Sequence, residues 1–134
     1  MTNENKVTHW IELSDYDFET AIAMLQTKRY LYVGFMCHQV IEKIFKAVYS
    51  KRKAAVPPYT HDLEYLALKS GFYETLSEKQ KDFIGELNPL NIEARYSEYK
   101  KEVSKELTPS KCAKLLDETK ILQQWTKEMI LLVK

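Results

Sequence analysis

The sequence predicts an all-α protein of about five helices, and three observations carry that expectation. Only three glycines and four prolines occur in 134 residues, so helix-breaking residues are confined to a few joints. Between the joints, apolar side chains recur at helical spacing. Capping residues stand where the periodic runs begin.

A first helix is predicted from about Trp10 to Gln26, with Thr8 as N-cap and Ile11, Phe18, Ile22 and Leu25 on one face. A second is predicted from about Tyr30 to Lys51, its stripe formed by Val33, Met36, Val40, Ile44, Ala47 and Val48. Lys51, Arg52 and Lys53 close it, and Pro57 and Pro58 forbid its continuation. A short third helix follows from about Asp62 to Ser70, with Leu63, Leu66 and Ala67 inward and Gly71 placed to take the left-handed terminating conformation. The fourth opens at Ser77-Glu78-Lys79-Gln80, where the Ser hydroxyl and the Gln amide can cap each other's backbone donors. Phe83, Ile84 and Leu87 continue it until Pro89, which is expected to kink or end the helix near Asn88. Thr108-Pro109 reads as N-cap followed by proline at the first helical position. That last helix reaches about Leu132, burying Leu115, Leu116, Leu122, Trp125 and Met129.

The chain reads as one domain, residues 1–134, with no internal repeat and no low-complexity segment. Cys37 and Cys112 are too few for a disulfide framework, and no neighbouring cysteine or paired histidine suggests zinc. This composition fits a reducing cytoplasm. The N-terminus lacks the apolar stretch of a signal peptide, and the run from Met129 to Val133 falls far short of the ~20 residues of a membrane span. Twenty basic residues against nineteen acidic ones leave a formal charge of +1, so contact with nucleic acid requires a local patch.

Several side chains are candidates for chemistry. His38, Glu42 and Lys46 form a row at spacing four on the second helix, which can line a cleft or form a solvated face with a Glu-to-Lys pair. The Lys51-Arg52-Lys53 run suits phosphates, but cations are favoured at any helix C-terminus. His61, between Thr60 and Asp62, can offer an imidazole to a substrate or simply belong to a helix cap. Arg95 lies among Asn91, Tyr96 and Tyr99 in the irregular stretch after Pro89, where a guanidinium beside aromatic rings suits phosphate and base contacts; pairing with Glu93 or Glu98 is the plainer role. His9, His38 and His61 are scattered over different elements, and no HExxH, GxSxG or glycine-rich phosphate loop occurs. No metal, no cofactor and no covalent mechanism are therefore assigned.

Taken in order, these residues resemble a known family. Trp10, Asp17 and Ala21 precede Tyr30 and Phe35. Then come Cys37-His38-Gln39-Val40-Ile41-Glu42-Lys43 with Lys46-Ala47, Thr60-His61-Asp62-Leu63 with Leu66, and Leu90-Asn91 with Arg95-Tyr96. The set resembles the HEPN domain family, over about Trp10 to Val133. The resemblance implies an up-and-down helical bundle, usually dimeric, often encoded in bacteria beside a small nucleotidyltransferase in a toxin-antitoxin or related two-component system.

Many members are metal-independent ribonucleases whose signature is an Arg with a His about four to six residues on; no His follows Arg95 here, and Arg29 and Arg52 stand too far ahead of His38 and His61. Arg95-Tyr96 matches the minimal members, for which binding a nucleotide or a partner enzyme is implied. The expected role is thus a homodimeric binding protein that presents Glu42, Lys43, Lys46, His61, Asn91, Arg95 and Tyr96 to a nucleotide, RNA or a nucleotidyltransferase. The alternatives are a ribonuclease toxin, in which Arg95 stabilises phosphate charge and His61 acts as acid or base, and a structural adaptor. The expectation of a homodimer rests also on the nine tyrosines, several of which a thin bundle must leave at its surface.

Overall fold

The computed structural model describes residues 2–93 and 105–132. Among the described residues the elements are α1 (Asn3–Gln26), α2 (Tyr30–Lys53), α3 (Leu63–Lys69), α4 (Glu78–Glu93) and α5 (Pro109–Leu132), with a 3₁₀ turn at Tyr73–Thr75. No strand occurs among the described residues. The helices α1, α2 and α5 are each 24 residues long, or roughly 36 Å at the α-helical rise.

The matched lengths let α2 lie along its neighbours, and it packs against all four other helices. Its sequence explains the position, because Val33, Cys37, Val40, Ile41, Ile44, Phe45, Ala47 and Val48 form a fully buried apolar face, and the buried polar side chains His38, Gln39, Glu42 and Lys46 continue round the helix from it. Phe45 meets Phe72 edge to face with ring centroids 4.9 Å apart, closing the core under α3. A polar tie joins the three long helices. Ser14 Oγ donates to the Val40 carbonyl at 2.8 Å and accepts from Gln123 Nε2 at 2.9 Å, all buried.

The joints obey local chemistry. Residues 27–29 turn the chain back so that α1 and α2 form a helical hairpin; Lys28 sits at φ 63, with its N–H on Leu25 O and the Arg29 N–H on Met24 O. The same pattern ends α3, where Gly71 takes φ 80 as the sequence predicts, its N–H bonding Leu68 O and that of Phe72 bonding Ala67 O. Ser77 and Gln80 cap each other reciprocally at 2.8 and 3.1 Å, and Thr108 Oγ1 accepts the Lys111 N–H at 3.2 Å ahead of Pro109.

Three boundaries differ from expectation. First, α1 begins at Asn3, not Trp10, because Thr2 is the cap, accepting the Asn5 N–H at 3.1 Å; Thr8 lies inside the helix. On that helix Ile22 is exposed and Ala21 takes the core position, since the rows Val7-Ser14-Ala21 and Ile11-Phe18-Leu25 form the inner face. Second, α2 runs to Lys53, so the basic cluster is its last turn, and Arg52 Nη1 donates to the Ser70 carbonyl at 3.2 Å. Third, α4 passes through Pro89 to Glu93. The carbonyl that loses its donor belongs to Gly85, and Gly85 and Pro89 are both exposed, so water can replace the missing bond.

The two sides of the undescribed stretch converge on one small residue. A Cβ at Gly34 would meet Leu107 Cδ1 and Leu90 Cδ1, each at 3.2 Å, so the absent side chain lets both leucines close on α2. Arg95, Tyr96 and Tyr99 lie outside the described residues. No helix among the described residues is long and apolar enough to cross a membrane.

Candidate functional site

Two polar rows run along α2 beside its apolar face, and apart from the part-buried Lys43 they are inside the protein. The row His38-Glu42-Lys46 is not the solvated face that its spacing alone permits: Glu42 is 2 % exposed and Lys46 7 % exposed. A carboxylate withdrawn from water to this degree is strongly disfavoured unless paired and hydrogen-bonded. Glu42 is both. Its Oε2 accepts from Lys46 Nζ at 3.1 Å, and its Oε1 accepts from His61 Nδ1 at 2.8 Å. Trp10 of α1 covers the Lys46 ammonium, whose Nζ stands 5.4 Å from the indole ring centroid, a cation–π contact.

His61 is held at two points. Its ring is fixed by Glu42, and its backbone carbonyl accepts from His38 Nε2 at 2.8 Å. A carbonyl can only accept, so Nε2 of His38 carries the proton and a neutral His38 leaves Nδ1 bare. That Nδ1 is buried without a hydrogen-bond partner and stands 3.8 Å from Glu42 Oε1, beyond hydrogen-bond reach. Burial lowers the His38 pKa from 6.5 to about 4, outweighing the Glu42 charge that raises it. His38 is therefore a neutral strut, not a member of an ion pair.

For His61 the same logic gives the opposite tautomer. An ionised Glu42 only accepts, so His61 Nδ1 bears the proton, and the edge carrying Nε2 is left outward on a side chain 39 % exposed. The segment after His61 is tied to α4. Asp62 caps α3 by accepting the Tyr65 N–H at 3.2 Å; Asn88 Nδ2 donates to the same carboxylate at 3.2 Å, while Asn88 Oδ1 accepts the Leu63 N–H at 2.9 Å. The result is a cleft of about 370 Å³ lined by His61, Asp62, Asn88, Pro89 and Asn91.

The second row, Gln39-Lys43, spans the bundle. Lys43 Nζ donates to Asp17 Oδ2 on α1 at 2.9 Å and to Gln39 Oε1 at 3.1 Å, and Gln39 Nε2 donates to Asn91 Oδ1 on α4 at 2.9 Å. Asn91 is itself buried, 2 % exposed, with its Oδ1 committed to Gln39.

Five of the seven residues expected at the site thus fall on two connected networks: Glu42, Lys46 and His61 on one, Lys43 and Asn91 on the other. Of these, Glu42, Lys46 and Asn91 are buried, Glu42 holds the His61 ring, and His61 and Asn91 border the cleft. Arg95 and Tyr96 lie outside the described residues. Spacing missed Asp62 and Asn88 as the clamp that sets the cleft's floor; an Asp directly before a helical run is a cap signal, but its bond to a residue 26 positions away has none. Among the described residues, no group of three or more His, Cys, Asp or Glu side chains is placed to hold a metal ion.

This is an all-helical domain whose polar site is built on a buried central helix. A family model described as HEPN domain matches residues 7–129, and the chain belongs to that family. Neither the curated proteins nor the solved structures give a match.

The neutral His38 makes stability depend on pH. Its folded pKa lies below the unfolded one, so its contribution is complete above about pH 6.5 and falls as pH drops toward about 4, where the folded protein also takes up the proton. The full loss amounts to about 3 kcal/mol. His38→Gln keeps a donor for the His61 carbonyl but cannot be protonated. Urea unfolding of both proteins across this range is expected to show a weaker acid loss in the variant, and equal losses would contradict a neutral buried His38.

Proposed function

We propose that this HEPN domain binds a nucleotide, presented within single-stranded RNA, in the cleft beside His61. The observation that carries the reading is the 2.8 Å bond from His61 Nδ1 to the buried Glu42 carboxylate, which fixes the ring on the cleft wall with Nε2 outward. A histidine so held can accept from a ribose hydroxyl or donate to a phosphate oxygen through Nε2, according to its protonation. The Asp62 carboxylate suits hydroxyls and exocyclic amines better than a polyphosphate.

Lys43 and Lys46 support the same choice, because both are spent on internal partners and cannot neutralise several phosphates. In this reading Glu42, Lys43 and Lys46 position the site, while Arg95 and Tyr96 supply, on the strength of sequence alone, a guanidinium for the phosphate and a ring for the base. A nucleotidyltransferase partner rests on the family resemblance. Action in the cytoplasm fits two free buried thiols, which burial pushes up to about 12 at Cys37 and about 11 at Cys112.

A second reading is a metal-independent ribonuclease. It is favoured by the His61–Glu42 pair itself, which has the form of a general base oriented by a carboxylate, with His61 Nε2 taking a proton from a ribose 2′-OH. Fluorescence anisotropy with a labelled mixed-sequence RNA, followed by a denaturing gel of the same sample, separates the two. Binding without cleavage is expected, weakened about tenfold by His61→Ala, and by Arg95→Lys without a matching loss of melting temperature. Cleavage abolished by His61→Ala would establish the ribonuclease instead, and an absence of binding at tens of micromolar would refute the proposal.

We further propose a homodimer through the outer face of α5. Ile121 is 69 % exposed there beside Trp125, above a groove also lined by Lys120, Gln124 and Glu128. Lys120 and Glu128 stand symmetrically about Gln124, so an antiparallel pairing of two copies would set each lysine against the other copy's glutamate. Light scattering at tens of micromolar is expected to give a dimer that Ile121→Glu dissociates; a monomeric parent protein would refute this.

A further inference from the structure

One side chain near the site is unexplained by packing. Tyr59, in the loop between α2 and α3, is 96 % exposed. A tyrosine ring gains free energy from almost any burial, and this one takes none. The loop that carries it is nonetheless held. Pro57 is buried and Pro58 follows it, so two consecutive residues have φ restricted by their rings. On the other side, Thr60 Oγ1 accepts the Asp62 N–H at 3.1 Å, and His61 is pinned at both its carbonyl and its ring.

Tyr59 is thus an aromatic side chain presented to solvent from an anchored backbone. Its ring centroid lies 6.1 Å from that of His61, with the planes tilted by 59°. At this inclination the two rings do not stack on each other, and the exposure of the tyrosine leaves its faces available to a flat ligand. Among the described residues that line the neighbouring cleft, His61 and Asp62 offer polar groups for a sugar and a phosphate, and no phenylalanine, tyrosine or tryptophan is present to stack on a base.

We propose that Tyr59 is the stacking platform for an unpaired nucleobase whose sugar and phosphate occupy the cleft at His61. This rests on the RNA-binding reading above. Stacking needs only a π face, so Tyr59 contributes affinity without choosing among bases, and its selectivity is for unpaired over paired nucleotides. An exposed ring on a restrained loop is suited to the task, because little conformational freedom remains to be lost on binding.

The test uses the full chain and two labelled single-stranded RNA probes of equal length, one of mixed sequence and one abasic at its central nucleotides, at one fixed salt concentration. Tyr59→Ala is expected to weaken binding of the intact RNA about tenfold and to leave the abasic RNA and the melting temperature unchanged. Tyr59→Phe should retain the affinity of the parent protein, and Tyr59→Leu should behave like the alanine variant. The stacking role is overturned if the parent protein binds the intact RNA and Tyr59→Ala binds it equally well, or if Leu substitutes as well as Phe. A parent protein that binds neither probe overturns the RNA-binding reading and the stacking role with it.

Discussion

A carboxylate inside a helical bundle has to be paired, and at Glu42 that requirement organises the molecule around it. The Glu42 side chain has no water to turn to, so its two oxygens are taken by an ammonium and an imidazole, at 3.1 and 2.8 Å. Each partner carries a further demand. The Lys46 charge, itself buried, lies over Trp10, which ties α1 to the pair. His61 belongs to a loop with no helical bonds of its own, and the carboxylate fixes that loop against α2. Removing Glu42 would leave a buried ammonium unpaired and release the one histidine that faces the cleft.

The rest of the fold makes this arrangement possible. Because α2 is covered on all sides by α1, α3, α4 and α5, a polar row along it is enclosed wherever it falls, and side chains that would be solvated on a surface helix become cross-links. Gln39 and Lys43 follow the same rule, and with Ser14 and Gln123 they bond across helices at distances between 2.8 and 2.9 Å. A network with most of its donors and acceptors satisfied tolerates little displacement, which is what a binding site needs of its supports. Beside Glu42, the atom left without a partner among the described residues is His38 Nδ1. It is the cost of using a neutral imidazole to brace the His61 carbonyl.

Much of the fold was legible because its punctuation is local. Ser77 with Gln80, Thr108 with Pro109, and Gly71 each announce a helix end through bonds that span a few residues, and all three act as their chemistry predicts. Errors arose where local signals mislead. The first two turns of α1 are mostly polar and carry no periodicity, so Thr2 was overlooked as the cap, and Pro89 suggests a break that solvent at Gly85 makes unnecessary. The site was legible as a set of residues but not as an arrangement. Spacing puts His38, Glu42 and Lys46 in one row, yet an identical row occurs on solvated helices, and only the long-range placement of Trp10 and His61 decides that this one is buried. No sequence signal links Asp17 to Lys43 or Asp62 to Asn88. Arg95 and Tyr96 fall outside the described residues, so the expectation placed on them still rests on sequence.

The central claim is that Glu42 fixes His61 in one tautomer and so determines what the cleft can do. Two-dimensional ¹⁵N–¹H correlation spectra of the histidine rings report directly which nitrogen bears the proton. At neutral to mildly alkaline pH the account predicts that His61 is protonated at Nδ1 and His38 at Nε2, and that Glu42→Gln loosens the preference at His61 alone. A neutral His61 found with its proton on Nε2 would contradict it, because Nδ1 would then have nothing to donate to the carboxylate and the site would have no fixed histidine.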